Sequence, residues 1–291
     1  MYDYYLNVNN KAGYAEFHYV FTFDSGEVDY RYRKNDKQTL VYESVAIDNK
    51  RIFTYDYEDM RGDLSGLEAL TTTLNLSFRG TDSILKYVIA NTALAQNHPL
   101  YQMQGFVSHM LWFRSLDENC YIGYKSNSKD YFDFIFEGNQ VKELESFLHK
   151  AGLQENLIAK KDTDGIKRLY FDTNKPLPFF KAASSGTRAL YTFFYWNKTA
   201  TDVSLMFIDE FDAFYHYELA EILVQLLEQQ PDFQVVLTSH NTNLLSNRIM
   251  RPDCYFILTR DGLTSFANAT DRELREGHNL EKLYMSGEFN G

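Results

Sequence analysis

VSLMFIDEFD, residues Val203 to Asp212, is the stretch of this 291-residue sequence that decides the fold. Its apolar residues run without interruption from Leu205 to Ile208 and then end in two acidic residues. A continuous apolar run of this length is typical of a parallel strand buried on both faces of a sheet. The stretch therefore predicts an α/β fold with this strand near the centre of the sheet.

The two acidic residues after the run, Asp209 and Glu210, are candidate functional residues. Ligands of open α/β sheets bind at the carboxyl ends of the strands. A carboxylate there suits Mg²⁺, held through water, and a neighbouring glutamate can orient and deprotonate an attacking water molecule. The alternative is an ordinary strand that ends in a solvated acidic turn, and the stretch alone does not decide between the two.

The residues that follow predict a β-α-β unit. Helix-face spacing is carried by Leu219, Ile222, Leu223, Leu226 and Leu227. An apolar strand, Phe233 to Thr238, comes next and leads into Ser239 and His240. A right-handed crossover brings the ends of the two strands together, so we expect His240 beside Glu210, where an imidazole can hydrogen-bond a γ-phosphate or the attacking water. A lone histidine after a strand is usually a surface residue, and its pairing with the acidic strand end favours the functional interpretation here.

A third candidate site, Ala183-Ser184-Ser185-Gly186-Thr187, precedes a helix predicted to begin near Gly186. Small residues at a helix start expose backbone N–H groups and the positive end of the helix dipole, which suits a phosphate. In isolation, an ordinary serine N-cap explains the stretch as well.

Taken together, these stretches resemble the ABC-type ATPases of the SMC and RecF branch. Signature, Walker B, D-loop and switch histidine follow in the family's order as Ser184-Ser185-Gly186-Thr187, Phe207 to Ala213, His216 and Thr238-Ser239-His240. The bacterial AAA family ATPases that include abortive-infection and RloA-like proteins are the most similar group. The tail resembles that group too, in Arg251, Asp253, Phe256, Arg275, His278 to Leu280 and Tyr284 to Phe289. The motif match covers about Phe179 to Phe289, whereas the amino-terminal strands are similar in pattern alone.

The resemblance implies an ABC-type head with the P-loop NTPase fold that uses ATP and Mg²⁺ and works as a head-to-head homodimer. Ser184, Ser185 and Gly186 of one protomer would contact the γ-phosphate held by the other. Asp212 and His216 fall where the family places its D-loop and the residues after it, which would meet the opposite protomer; a solvated turn is an equal alternative for them. The family further implies an effector driven by the ATPase, such as a nuclease in phage defence.

One departure from the family is the phosphate-binding loop, because nothing in the chain matches GxxxxGK[ST]. This loop supplies the backbone N–H cradle and the lysine that hold the β- and γ-phosphates. We therefore expect the chain alone to be a poor ATPase and a Walker A segment to be supplied in cis or in trans. The alternative is a non-hydrolysing module that docks a separate nucleotide-binding chain.

The rest of the chain divides by pattern into three segments. Residues 1–66 are predicted to be an antiparallel β region, because Ala15 to Tyr57 alternates with period two and breaks at turn residues. Residues 67–140 are predicted to be a mostly helical insertion, with helical spacing from about Leu67 to Asn91 and from Leu100 to Leu116. Residues 141–291 form the predicted α/β lobe, which includes a helix from Val141 to Ala151 and a hairpin that turns at Asp164-Gly165.

Composition restricts the remaining choices. With 44% hydrophobic residues the chain can bury a large core. A formal net charge of −11 does not indicate nucleic acid as a partner, although a local basic patch is compatible with it. No apolar run approaches a membrane span, and the first residues lack the features of a signal peptide, so the sequence predicts a cytoplasmic protein without membrane contact. Cys120 and Cys254 sit in no metal-binding spacing.

Overall fold

The computed structural model of the chain describes residues 12–36, 38–70, 82–115, 120–123, 131–199, 202–229, 233–260 and 262–289, with the backbone alone for 120–123. The chain forms two compact units, Met1–Ser108 and His109–Gly291. The predicted α/β class with an antiparallel β meander is confirmed. The division into three segments stays a prediction.

The first unit is built on a five-stranded antiparallel meander whose strands lie in chain order. The strands are β1 (Ala15–Phe23), β2 (Gly26–Lys34), β3 (Leu40–Ile47), β4 (Lys50–Asp56) and β5 (Arg61–Asp63). Asp48 and Asn49 join β3 to β4 with positive φ angles of 48° and 62°, the backbone of a tight hairpin whose twist matches the strands. The predicted meander from Ala15 to Tyr57 is confirmed.

Two helices, α1 (Ile84–Asn91) and α2 (Pro99–Ser108), pack on the apolar face of this sheet. Because side chains alternate along each strand, one set faces the helices, and the apolar side chains of α1 and α2 pack against that set. The buried residues of this core include Val28, Val45, Phe53, Leu67, Ile84, Val88 and Leu100. Burying each such side chain contributes roughly 1.5–3 kcal/mol.

A fully buried carboxylate, Glu43 on β3, joins the sheet to the start of α1. Its Oε1 accepts hydrogen bonds from Tyr30 Oη (2.9 Å) and Ser83 Oγ (2.6 Å). Its Oε2 accepts from Tyr57 Oη (2.7 Å) and from the Ile84 N–H (2.8 Å). Burial, followed by the adjacent Glu43 charge, raises the pKa of both tyrosines well above the usual range, so both remain donors. Glu43 is thus a satisfied buried acceptor that also caps a helix.

The second unit contains nine strands and five helices within the described residues. The strands are β6 (Met110–Arg114), β7 (Cys120–Gly123), β8 (Leu157–Lys161), β9 (Lys167–Phe171), β10 (Leu177–Pro178), β11 (Leu205–Asp209), β12 (Gln234–Leu237), β13 (Phe256–Leu258) and β14 (Leu263–Ser265). The helices are α3 (Gln140–Lys150), α4 (Phe179–Ala182), α5 (Ser185–Thr199), α6 (Tyr217–Glu228) and α7 (Leu280–Met285).

The central sheet of this unit has the order β12-β11-β6-β7. β11 is parallel to both of its neighbours, and β7 is antiparallel to β6. The predicted β-α-β unit is confirmed as β11-α6-β12. β8, β9 and β10 form an antiparallel sheet, in which Gly165 turns the predicted hairpin with a φ angle of 81°.

One sequence prediction is wrong at the start of this unit. The helical spacing expected from Leu100 to Leu116 holds as far as Ser108, whereas Met110–Arg114 is a strand. Leu111 and Phe113 point inward along β6, which pairs with β11. The apolar run from Met110 to Phe113 is too short for its period to distinguish helix from strand, so pairing with β11 decides its structure.

The core of the second unit lies around α5. Eight of its residues, Thr187 and Ala189 to Tyr195, are buried. Tyr191 is fully buried and donates to the carbonyl of Tyr131 at 2.8 Å. The helix predicted to begin near Gly186 is therefore a central element of the unit.

Candidate functional site

The carboxyl end of β11 places Asp209 and Glu210 at one edge of the central sheet. β11 lies between β12 and β6, and all three strands run in the same direction. Parallel strands end at a common edge, so the residues after each strand meet there. Ser115, directly after β6, donates its N–H to the Asp209 carbonyl at 3.2 Å.

Thr238, the residue after β12, holds this strand end in place. Its hydroxyl donates to Asp209 Oδ1 at 2.7 Å and accepts the Glu210 N–H at 2.8 Å. Its backbone is fixed as well, with N donating to Ile208 O at 3.0 Å and O accepting from Phe211 N at 3.1 Å. Sequence reasoning assigned Thr238 no role of its own, although a hydroxyl that ends the strand next to an acidic strand end was the available signal.

Glu210 adopts a left-handed backbone conformation, with φ of 50°. This conformation costs a residue with a Cβ roughly 1 kcal/mol or more. The Glu210 carbonyl accepts from Ala213 N at 3.0 Å, which closes a tight turn directly after the strand. The turn directs the chain away from the sheet edge and leaves the Glu210 side chain there.

His240 lies beside Glu210, with its Nε2 3.0 Å from Glu210 Oε1. The histidine side chain is 91% exposed and that of the glutamate 27%. The imidazole is therefore open to solvent, where a bound molecule can reach it, while the carboxylate is largely buried. The structure brings these two residues together with Asp209, and their catalytic roles stay predictions.

The start of α5 carries the other predicted binding residues. Ser184 Oγ accepts from the Thr187 N–H at 3.1 Å and lies 2.8 Å from the Thr187 hydroxyl, which is the geometry of an N-cap. Ser184 and Ser185 are exposed, and Gly186 is half-buried. The N-cap alternative thus describes Ser184, and the exposed helix start remains open to a ligand.

The loop after Glu210 packs against this helix start. A Cβ built on Gly186 would lie 3.0 Å from the carbonyl oxygen of Phe214, so a side chain there would require the loop to move by a few tenths of an ångström. Asp212 is half-buried in the same loop, and His216 is exposed immediately before α6. Within the described residues no hydrogen bond or ion pair joins Ser184, Ser185 or Gly186 to Asp209 or Glu210.

The magnesium ion that the sequence predicts at this site needs a carboxylate oxygen that is free to bind it. Asp209 Oδ1 is occupied by Thr238, whereas Oδ2 accepts no hydrogen bond from the described part of the chain. A free carboxylate oxygen is the ligand that Mg²⁺ prefers, and Mg²⁺ at nucleotide sites needs one or two carboxylates beside phosphates and water. Among the residues described, no group of three or more His, Cys, Asp or Glu side chains could hold a metal. Asp209 Oδ2 thus has the chemistry of a Mg²⁺ ligand, and its role at a metal site stays a prediction.

The described residues form no helix long and apolar enough to cross a membrane.

The fold and this site define an α/β protein with acidic and imidazole groups at the carboxyl edge of a parallel sheet. Residues 2–246 match the sequence profile of a family described as "AAA domain, putative AbiEii toxin, Type IV TA system". The match covers most of the chain, so the protein belongs to this family. The predicted relationship to AAA family ATPases of the abortive-infection group is thereby confirmed.

A solved structure, the SMC head bound to the C-terminal winged-helix domain of ScpA, is similar at 12% sequence identity and a TM-score of 0.34. The alignment covers 79% of this chain and 67% of that one. No curated protein matches the chain.

Proposed function

We propose that this chain is the signature and Walker B part of an ABC-type ATPase that hydrolyses ATP as a head-to-head dimer. The observation that carries the proposal is the cluster of Asp209, Glu210 and His240, which Thr238 fixes at the carboxyl edge of β11 and β12. Family membership supports an ATPase domain, and the cluster supports hydrolysis as its chemistry.

In this proposal Asp209 holds Mg²⁺ through water with its free Oδ2 atom. The metal, when bound, neutralises charge that develops on the β- and γ-phosphate oxygens. Glu210 orients the attacking water and accepts its proton at a carboxylate oxygen. His240, 3.0 Å from Glu210 and open to solvent, donates a hydrogen bond to the γ-phosphate or holds the water against Glu210.

The start of α5 serves the second nucleotide of the dimer. Ser184, Ser185 and Gly186 present exposed hydroxyls and backbone N–H groups at the positive end of a 15-residue helix, which favours a phosphate held by the other protomer. Asp212 and His216 lie in the loop that packs against this helix start, so the same protomer surface carries both groups. Two exposed aromatic side chains of this segment, Phe214 and Tyr217, add apolar area for a partner.

The proposal requires a phosphate-binding loop, which the 291 residues do not contain as GxxxxGK[ST]. In the proposal a Walker A segment joins this chain in cis or in trans. The hydrolytic cycle then drives an associated effector, such as a nuclease, in defence against phage. The family description, which names a putative toxin of a toxin–antitoxin system, supports that context.

The test measures Mg-ATP binding and hydrolysis by the chain alone and by the chain joined to the segment encoded upstream, fused or co-expressed. The proposal predicts hydrolysis in the joined preparation and little or none in the chain alone. If the joined preparation binds no ATP, the hydrolase is refuted and the non-hydrolysing docking module becomes the better account.

A further inference from the structure

The hydroxyl of Thr238 contacts two consecutive residues of the candidate site at once. It donates to Asp209 Oδ1 at 2.7 Å and accepts from the Glu210 N–H at 2.8 Å. A hydroxyl has one hydrogen to donate, and this one is used on the carboxylate. The two contacts therefore fix the Asp209 side chain and the Glu210 backbone relative to one atom.

The position of that atom is set by the backbone on both sides. Thr238 N donates to Ile208 O and Thr238 O accepts from Phe211 N, so the backbone of Thr238 is bonded to the residue before the acidic pair and to the residue after it. These two bonds use backbone atoms alone, so they remain available to a valine or a serine at position 238. A variant at this position can therefore remove the hydroxyl contacts alone.

The two contacts have different consequences. With Oδ1 engaged, the Asp209 carboxylate keeps one orientation and presents Oδ2 away from Thr238. The Glu210 N–H bond supports a backbone with φ of 50°, which a residue with a Cβ rarely adopts without a compensating contact. The direction of the Glu210 side chain, and with it the 3.0 Å contact to His240, depends on that backbone.

We propose that Thr238 is a positioning residue that aligns the metal-binding carboxylate of Asp209 with the water-activating carboxylate of Glu210. This inference rests on the proposed ATPase function for its catalytic meaning, while its structural content stands on the hydrogen bonds. The partners of groups that bind a metal tune its site, and their loss typically lowers metal affinity or activity by about 10- to 100-fold.

The first experiment needs no ATPase activity. Thr238→Val keeps the β-branched shape and removes the hydroxyl, and Thr238→Ser keeps the hydroxyl. Amide hydrogen exchange, resolved by NMR on the full chain, should be faster at Glu210 by about fivefold or more in Thr238→Val, because its N–H loses its acceptor. Phe211 is the internal control, since its N–H is bonded to the Thr238 carbonyl in every variant. Equal exchange at Glu210 in the wild type and in Thr238→Val overturns the proposal.

The second experiment measures Mg-ATP turnover in the preparation joined to a Walker A segment. Thr238→Val should lower kcat by about 10- to 100-fold and raise the Mg²⁺ concentration needed for half-maximal rate, with little change in KM for ATP. Thr238→Ser should recover most of the rate. Wild-type kcat in Thr238→Val, or equal losses in both variants, overturns the positioning role. Absence of turnover in the wild type refutes the proposed function instead, and the exchange experiment still decides whether Thr238 holds the loop.

Discussion

Replacing Glu43 by methionine tests the physical account of the first unit. Methionine is unbranched and similar in length, so the substitution removes the shared acceptor with little change in shape. Two of the four donors retain an alternative acceptor. Tyr57 Oη lies 3.2 Å from the Asp82 carbonyl oxygen, and the Ile84 N–H lies 3.1 Å from Tyr57 Oη.

The remaining donors are the hydroxyls of Tyr30 and Ser83, which also interact with each other, so each is the other's remaining hydrogen-bond partner. One hydrogen of this pair then has no acceptor, which costs roughly 1–3 kcal/mol in a buried site. The other three bonds change from a charged to a neutral acceptor and each loses about 1 kcal/mol. We therefore expect Glu43→Met to lower the free energy of unfolding of this unit by about 4–6 kcal/mol.

The assay is native-state hydrogen exchange of the α1 amides, because a chain with two units need not unfold in one transition. A loss of about 4–6 kcal/mol corresponds to exchange that is faster by roughly 10³- to 10⁴-fold. Glu43→Gln, which can keep its carbonyl on the Ile84 N–H and turn its NH₂ to the hydroxyls of Tyr30 and Ser83, should cost less than half as much. Glu16→Gln on the exposed side of β1 is the control and should change little. A Glu43→Met protein with wild-type exchange in α1 would refute the reasoning.

Three further predictions concern substitutions in the second unit, at Gly186, Asp209 and Asp212. Gly186→Ala should lower the melting temperature, because its Cβ would meet the backbone oxygen of Phe214 at 3.0 Å. The control is Gly105→Ala in α2, where nothing lies within 4 Å of the added Cβ, and it should raise the free energy of unfolding by about 0.5–1 kcal/mol. Equal shifts of the melting temperature in the two variants would contradict the packing at Gly186. Asp209→Asn should raise the Mg²⁺ concentration needed for half-maximal turnover in the joined preparation by about tenfold or more, as measured by titrating Mg²⁺ at saturating ATP. An unchanged titration would show that Asp209 does not bind the metal. Asp212→Ala should reduce the ATP-dependent dimer fraction in light scattering without changing ATP binding to the monomer, and an undiminished dimer would exclude Asp212 from the interface.

The sequence predicted the parts of the site that depend on the hydrophobic period of each element and on how consecutive elements are connected. The apolar run that ends at Asp209, the helix-face leucines of α6 and the strand before His240 determine a right-handed crossover, and such a crossover brings Glu210 and His240 together. The secondary structure of short apolar runs is harder to predict, since the pattern of Met110–Arg114 fits a helix or a strand and only its pairing with β11 decides between them.

Other features arise from contacts between distant residues and have no local signal. The inward side of β3 includes Glu43 by alternation, yet its donors come from positions 13 to 41 residues away in the chain. The left-handed backbone of Glu210 and its bond to Thr238 likewise depend on two strands folding side by side. Neither the residue propensities nor the hydrophobic period of the sequence predicts the donors of Glu43 or the backbone conformation of Glu210.

Glu210→Gln in the preparation joined to a Walker A segment shows whether Glu210 activates water at a dimeric ATPase site. The amide keeps the shape and cannot accept the proton, so the account predicts loss of Mg-ATP turnover by at least about 10²-fold, together with an ATP-bound dimer that persists in light scattering. Glu228→Gln, at an exposed glutamate that ends α6, is the matched control and should behave as the wild type. Turnover in Glu210→Gln equal to that of the wild type would contradict the account.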